Sequence, residues 1–322
     1  MKVIESLENI PLLDRKPVVA LGNFDGVHIG HRHLLKEMID FSLQTDTVPA
    51  VFLFHPHPQK VLDPANAPKL LLDLEKKIEI FESLNIEIAF IIPFNREIAS
   101  FTPEEFVEEI MLKKLRVQGV FVGFNYRFGC GATGTPELLV QYGNKYHFTV
   151  KVIPPITLHG TLVSSTRIRD LLNSGDIQKA RELLGYWPLL RGKIIRGDQR
   201  GRTLGFPTAN IDLPDDLIVP CSGVYAGQAL LEGKRYPAVV NIGYHPTFYN
   251  TKDKLIEAHL LGYQGSAYGK KIEIELYQKL REEKKFPVVE ELVRQIKKDV
   301  QDALRICGRE RVSLAFSSKQ RV

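Results

Sequence analysis

The sequence predicts two folded units in one chain, an α/β domain built on a parallel sheet followed by a small β-barrel. Over the first half, short apolar runs alternate with segments of helical period, the pattern of strand–helix units whose strands lie parallel. After Gly185 the pattern changes to short apolar runs separated by turn residues, which favours a barrel. With 322 residues the chain is long enough for two domains that each bury a core.

In order, PVVAL from Pro17 to Leu21 reads as a buried strand that runs into a glycine-rich segment. A helix is expected from near His28, with Leu34, Leu35, Met38 and Phe41 at helical spacing. Apolar runs at Ala50–Phe54, Ile86–Ile92 and Gly119–Gly123 read as core strands, with helical segments at Lys69–Leu84 and Pro103–Leu115 between them. Thr102 is placed to cap the second of these, ahead of Pro103 and two acidic residues. Helices at Thr166–Asn173 and Asp176–Leu184 close the half, which sets a boundary near Gly185. Strands are then expected at Leu189–Ile195, Val224–Leu231, Tyr236–Asn241, Ile256–Leu261 and Lys271–Leu280. In the last, Ile272, Ile274 and Leu276 alternate with Lys271, Glu273 and Glu275, so one face should meet water. A final helix over Val288–Ile306 presents Leu292, Ile296 and Val300 to the barrel, and residues 307–322 read as a basic tail.

The composition, 44% hydrophobic and 25% charged, is that of a globular protein. A net charge of +5 without a dense block of Lys and Arg suits phosphate-bearing small ligands better than nucleic acid. The N-terminus lacks the apolar stretch of a secretory signal and no run approaches membrane-spanning length, so a cytoplasmic protein with no membrane partner is expected. Cys130, Cys221 and Cys307 are odd in number and far apart, which suggests neither a disulfide framework nor a thiolate zinc cluster. Weak self-association stays open.

Polar segments gather where a parallel sheet binds ligands, beyond the strand C-termini. In GNFDGVHIGH, residues 22–31, His28 and His31 lie three apart and share a helix face. Two readings stand: an anion site at a helix N-terminus, with Gly26 and Gly30 letting the backbone approach, or a tight turn whose histidines merely cap it. The HPHP loop that starts at His55 reads as a rigid loop beside the same pocket rather than a metal site. Ser164-Ser165-Thr166 either caps a helix or, with Arg167 or Arg169, holds phosphate oxygens. In the second half, GDQRGRTLGFPTANI contains no complete P-loop. Its glycines suit either a nucleotide flap or an ordinary turn, and the oxygens of Thr208 and Asn210 suit Mg²⁺ if the backbone is extended. Glu257 reads either as a solvated strand residue or as a base for an attacking hydroxyl.

GNFDGVHIGH, GFNYRFGCGATG and LVSSTRIR, in this order, resemble the adenylyltransferase module of bacterial bifunctional riboflavin kinase/FAD synthetases. GRTLGFPTANI, NIGYHPTF, EAHLLGY and LREEKKFPVVEELVRQIKKD resemble the riboflavin kinase module of the same family. The resemblance covers about residues 15 to 305 and implies a Rossmann-like nucleotidyltransferase domain, residues 1–185. It further implies a six-stranded Greek-key barrel with a terminal helix, residues 186–306. The implied activities are ATP-dependent phosphorylation of riboflavin to FMN, then transfer of AMP from ATP to FMN, giving FAD and pyrophosphate.

The resemblance carries roles onto matching positions. His28 and His31, with Gly30 the HxGH motif, would contact ATP phosphates and stabilise the transition state, while Ser164, Ser165 and Arg167 would hold the triphosphate. Gly22, Phe24, Asp25, Asn125, Arg127 and Phe128 would line or support the nucleotide and flavin side. Asn125, an amide, suits a ligand contact rather than a base. Gly201, Arg202, Gly205 and Pro207 would shape the kinase phosphate loop, Thr208 and Asn210 would contact Mg²⁺, Glu257 would be the base, and Arg281 would help close the flavin site. EAHLLGY departs from the family's usual EAHLLDF ending, which touches local ligand contacts. The competing readings are a general adenylyltransferase fused to a regulatory barrel and a non-catalytic flavin sensor.

Overall fold

A computed structural model describes residues 1–8, 10–197, 201, 204–244 and 254–319, with side chains to residue 310. The chain divides into two compact units, Met1–Ser165 and Thr166–Val322.

The first unit carries six parallel strands: β1 (Lys2–Ile4), β2 (Pro17–Leu21), β3 (Val48–Phe54), β4 (Ile88–Ile92), β5 (Gly119–Gly123) and β6 (Thr149–Ile153). Their spatial order is β1-β4-β3-β2-β5-β6. Every residue of β2 and β4 is buried, which is why both read as unbroken apolar runs. Strands β1 and β6 had no clear sequence signal, since β1 has three residues and β6 leaves most of its residues exposed or partly so. Because β2 leads to β3 on one side and β5 to β6 on the other, the winding of the sheet reverses between β2 and β5, the position at which parallel sheets bind ligands in a crevice beyond their C-terminal edge.

The helices of this unit are α1 (Ile29–Gln44), α2 (Pro58–Leu62), α3 (Leu74–Ser83), α4 (Arg96–Ser100), α5 (Pro103–Glu105) and α6 (Pro136–Tyr146). Thr102 and Glu105 form the capping box expected at Pro103. The chain then widens into a π-helix over Phe106–Lys114 in place of the ordinary helix expected there. Leu115 N–H donates to Ile110 O at 2.8 Å, five residues back, and the helix buries Phe106, Val107, Ile110 and Met111. A short hairpin, β7 (Thr157–Leu158) and β8 (Thr161–Leu162), ends the unit.

In the second unit, β9 (Leu189–Ile195), β10 (Ala209–Asp212), β11 (Gly223–Leu231), β12 (Lys234–Tyr244), β13 (Lys254–Leu260) and β14 (Lys271–Arg281) form a closed antiparallel barrel. The order around it is β10-β13-β12-β11-β14-β9. Five strands fall where the sequence pattern placed them, whereas the four-residue β10 is too short to show a period. On β14, Ile272, Ile274 and Leu276 are buried, and the alternating Lys271, Glu273 and Glu275 are not.

Helices α7 (Ser165–Ser174) and α8 (Ile177–Leu184) pack in this barrel unit, so the division between compact units lies ahead of Gly185. Cys221 N–H donates to Leu172 O at 3.1 Å and Gln178 Nε2 to Tyr277 O at 3.2 Å. An apolar stripe shows that a helix packs but not against what. The last helix, α9 (Val289–Lys319), covers Val224, Ala226 and Val239 with Ala303 and Val300. It continues through most of the segment expected to be a tail; Cys307 is buried and its thiol donates to Gly227 O at 3.1 Å.

Candidate active sites in the two units

In the first unit, the β2–α1 turn seats the histidine pair. Phe24 and Val27 hold positive φ, as does Gly26 at φ 80°, which folds the chain sharply off the strand end. His28 is the N-cap of α1, and its Nδ1 accepts the His31 N–H at 3.2 Å. The two rings stack at 3.7 Å and 11°. A side chain at position 30 would begin 3.3 Å from the His28 ring, so Gly30 is what lets the ring lie flat over the helix start.

Burial lowers His28 from 6.5 to about 4 and drives His31 well below its usual value, with help from His28 and Lys77. Both imidazoles are therefore neutral near pH 7. Since Nδ1 of His28 accepts a hydrogen bond, its proton sits on Nε2, which can donate. His31 Nδ1 is buried with no hydrogen-bond partner among the described residues. The pair thus offers neutral polar groups beside the positive end of a helix dipole.

The other residues expected here differ in placement. Phe24 is 1% exposed, with its ring edge against His31 at 5.4 Å, and it braces that histidine from below. At Gly22 a Cβ would meet the Phe24 ring at 3.4 Å. Asp25 is buried; its Oδ1 accepts Leu71 N–H at 2.8 Å and its carbonyl accepts the Ser165 hydroxyl at 2.8 Å. Ser165 therefore joins the glycine-rich turn, and Ser164 beside it is partly buried. Asn125 and Arg127 are exposed beyond β5. Phe128 is buried against Phe106 and Tyr126, at 5.6 and 5.8 Å, so it supports the crevice rather than lining it openly. Arg167 is exposed and falls in the second unit. The sequence reading missed Lys77 and Asn23: Lys77 Nζ donates to Asn23 O at 3.1 Å, and the Asn23 amide meets His57 Nε2 at 3.0 Å.

In the barrel unit, register assembles the second site. Asn210 on β10 pairs with Glu257 on β13, which pairs in turn with Asn241 on β12. Paired residues share a face, and on β13 the flanking Ile256 and Ala258 are buried toward the opposite one, as the alternation around Glu257 implied. His259, two residues along that face, hydrogen-bonds Pro207 O at 2.7 Å, and the Phe206 ring stands edge-on to it at 5.7 Å. These contacts pin the glycine-rich segment over β13.

Within that segment, Gly201 O accepts the N–H groups of Leu204 and Phe206, and Gly205 sits at φ 84°. A Cβ at Gly201 would lie 2.4 Å from Phe206 O and 3.4 Å from Thr208 Oγ1. At Gly197 a Cβ would lie 2.0 Å from Asn210 Nδ2, so the chain crosses directly above the buried amide. Asn210 lies in β10 and Thr208 one residue ahead of that strand, and their oxygens are hard neutral donors, which fits Mg²⁺. Arg202 and the HPTF end of NIGYHPTF lie outside the described residues. Arg281 points to the helix: Nε and Nη2 bond the buried Asp299 carboxylate of α9 at 2.9–3.2 Å, and Gln295 completes the cluster at 2.8 Å.

Comparisons with known proteins agree with this division. Residues 11–167 match the family model for FAD synthetase, and residues 184–307 match that for riboflavin kinase. The chain is 39% identical over 294 residues to the bifunctional riboflavin kinase/FMN adenylyltransferase of Bacillus subtilis, covering 90% of this chain and 92% of that protein. The chain belongs to the bifunctional riboflavin kinase/FMN adenylyltransferase family. The Escherichia coli K12 member is 35% identical over 301 residues, 93% of this chain and 96% of its own. A crystal structure described as a macrolide-efflux protein from Streptococcus pneumoniae superposes with TM-score 0.84 at 28% identity, covering 93% of this chain and 97% of that one. No helix among the described residues is long and apolar enough to cross a membrane. Among the described residues, the histidine turn lies in the first compact unit and the Asn210–Glu257–Asn241 row in the second.

Proposed function

We propose that the barrel unit transfers the terminal phosphate of ATP to riboflavin, giving FMN and ADP, and that the N-terminal unit transfers AMP from a second ATP to FMN, giving FAD and pyrophosphate. The observation that carries this reading is the presence of two differently built sites, a neutral histidine pair at a helix N-terminus and a glycine-roofed Asn–Glu–Asn row on a barrel wall. We assign adenylyl transfer to residues 1–185 and phosphorylation to residues 186–306, a partition supported by the ranges of the two family models.

In adenylyl transfer, an FMN phosphate oxygen bonds to the α-phosphorus of ATP as the bond to the bridging oxygen breaks and pyrophosphate leaves. No protein nucleophile is required. His28 and His31 donate to phosphate oxygens as their charge grows, without carrying a charge that would hold the ground state equally well. Gly22 and Gly30 keep the backbone close, Ser164, Ser165 and Arg167 hold the triphosphate, and Phe24, Asp25, Asn125, Arg127 and Phe128 bind or support the nucleotides.

In phosphorylation, Glu257 takes the proton of the attacking riboflavin hydroxyl as its oxygen bonds to the γ-phosphorus and ADP leaves. Thr208 and Asn210 would hold Mg²⁺, which when bound neutralises polyphosphate charge. Gly201, Gly205 and Pro207 form the roof that orients the phosphates, and Arg202, which lies outside the described residues, is assigned to phosphate binding with them. For Arg281 the structure supports an indirect part, since its guanidinium anchors α9 at the end of β14.

Purified protein supplied with riboflavin, ATP and Mg²⁺ should yield FMN and then FAD, separated chromatographically. Glu257→Ala should stop FMN formation while sparing adenylylation of supplied FMN, and His28→Ala should do the reverse. Absence of both products with the unaltered chain would overturn the reading.

A further inference from the structure

Helix α3 contributes no residue to the matched motifs, yet it presents two side chains to the histidine turn. Lys77 and Phe81, one helical turn apart, lie on the same face and are 6% and 0% exposed. Phe81 packs edge-on to Phe24 at 5.6 Å, and Phe24 packs edge-on to His31 at 5.4 Å. Lys77 reaches the same turn by its Nζ, which donates to Asn23 O at 3.1 Å, between the end of β2 and the strained Phe24 at φ 47°. The Asn23 side chain continues to His57 Nε2 at 3.0 Å, and His57 Nδ1 caps α2 by accepting Gln59 N–H at 3.2 Å. One ammonium therefore ties α3 to the two loops that leave β2 and β3.

We propose that Lys77 is a positioning residue for adenylyl transfer, holding through Asn23 the turn that seats the His28–His31 pair and placing a fixed positive charge behind it. The proposal rests on the N-terminal unit being the adenylyl-transfer unit. Burying a lysine has a large desolvation cost, which an apolar residue on this core-facing helix would avoid. What the ammonium supplies is a strong charge-assisted hydrogen bond to a backbone carbonyl and a field at the histidines. Among the described residues, the charged and titratable groups that act on His31 are His28 on its own helix and Lys77 on α3; Asp25 lies in the same turn, where its Oδ1 accepts Leu71 N–H, and His57 lies beyond Asn23. Burial first, then the charges of His28 and Lys77, disfavour the imidazolium at His31. Removing Lys77 removes one of these causes, so the imidazole should accept a proton at higher pH.

The test compares the unaltered chain with Lys77→Met, which keeps the apolar stem, and Lys77→Arg, which keeps charge and donors. FAD formation from supplied FMN, ATP and Mg²⁺ is measured across pH, together with FMN formation from riboflavin as a control on the barrel unit and hydrogen exchange at the α1 amides as a control on folding of the first unit. Lys77→Met should lower kcat for FAD formation roughly tenfold to a hundredfold with a smaller change in KM for ATP. Its acid limb should move to higher pH, imidazole NMR should show His31 protonating at higher pH than in the unaltered chain, and Lys77→Arg should restore most of the rate. Unchanged FAD formation in Lys77→Met, or a lower rate with an unmoved acid limb and no rescue by arginine, overturns the proposal. An unaltered chain that makes no FAD at all overturns instead the reading on which it rests.

Discussion

Acid should weaken the first unit by an amount set largely by the histidine pair. In the folded chain His28 is lowered to about 4, whereas in the unfolded chain it returns to its ordinary 6.5. Because the unfolded state binds the proton more readily, this group favours folding fully above pH 6.5 and loses that contribution as pH falls from 6.5 toward 4. The whole interval amounts to about 3 kcal/mol at roughly 1.4 kcal/mol per unit. At about pH 5 the unfolded histidine is mostly charged and the folded one mostly neutral, so about 2 kcal/mol is already lost. His31, shifted in the same direction, adds to it.

His28→Asn isolates the contribution, because asparagine is also a good N-cap and can accept the His31 N–H but does not titrate. Urea unfolding of both proteins is followed by circular dichroism at about pH 7.5 and about pH 5, with hydrogen exchange at the α1 amides to report on the first unit. Losing the stacked ring lowers the variant at both pH values and cancels in the difference. The unaltered chain should then lose about 2 kcal/mol more than the variant between the two conditions. Equal losses would refute the argument that the folded pair is held neutral by burial.

Two further outcomes follow from the barrel unit. Gly197→Ala places a Cβ 2.0 Å from Asn210 Nδ2 and must displace that amide or the chain above it. FMN formation should fall roughly tenfold or more while FAD formation from supplied FMN is unchanged, measured as separate initial rates. Arg281→Met leaves the Asp299 carboxylate, 3% exposed, with Gln295 as its remaining side-chain partner shown here. The barrel unit should lose about 3–5 kcal/mol in urea, read by the fluorescence of the single, buried Trp187.

The parts of this protein legible in the sequence were those in which a local pattern has a local cause. Strands Pro17–Leu21, Gly119–Gly123 and Leu189–Ile195 were readable to the residue because each run is bounded by turn residues or a change of period. The cap at Thr102 follows from side-chain chemistry within one helical turn. Likewise His28 and His31 had to share a face once α1 began where it does.

Tertiary structure decided what depends on residues far apart in the chain. Strand pairing set Asn210 beside Glu257 and Glu257 beside Asn241, a row that no local spacing announces. The same holds for Lys77, whose role as a brace rests on a carbonyl 54 residues away. Burial made the histidines neutral, turned Phe128 into the core and committed Arg281 to Asp299, because desolvation and ion pairing depend on what the whole fold brings near a group. Amino-acid order determined the elements and the kinds of chemistry available; long-range packing determined which groups meet and in what charge state.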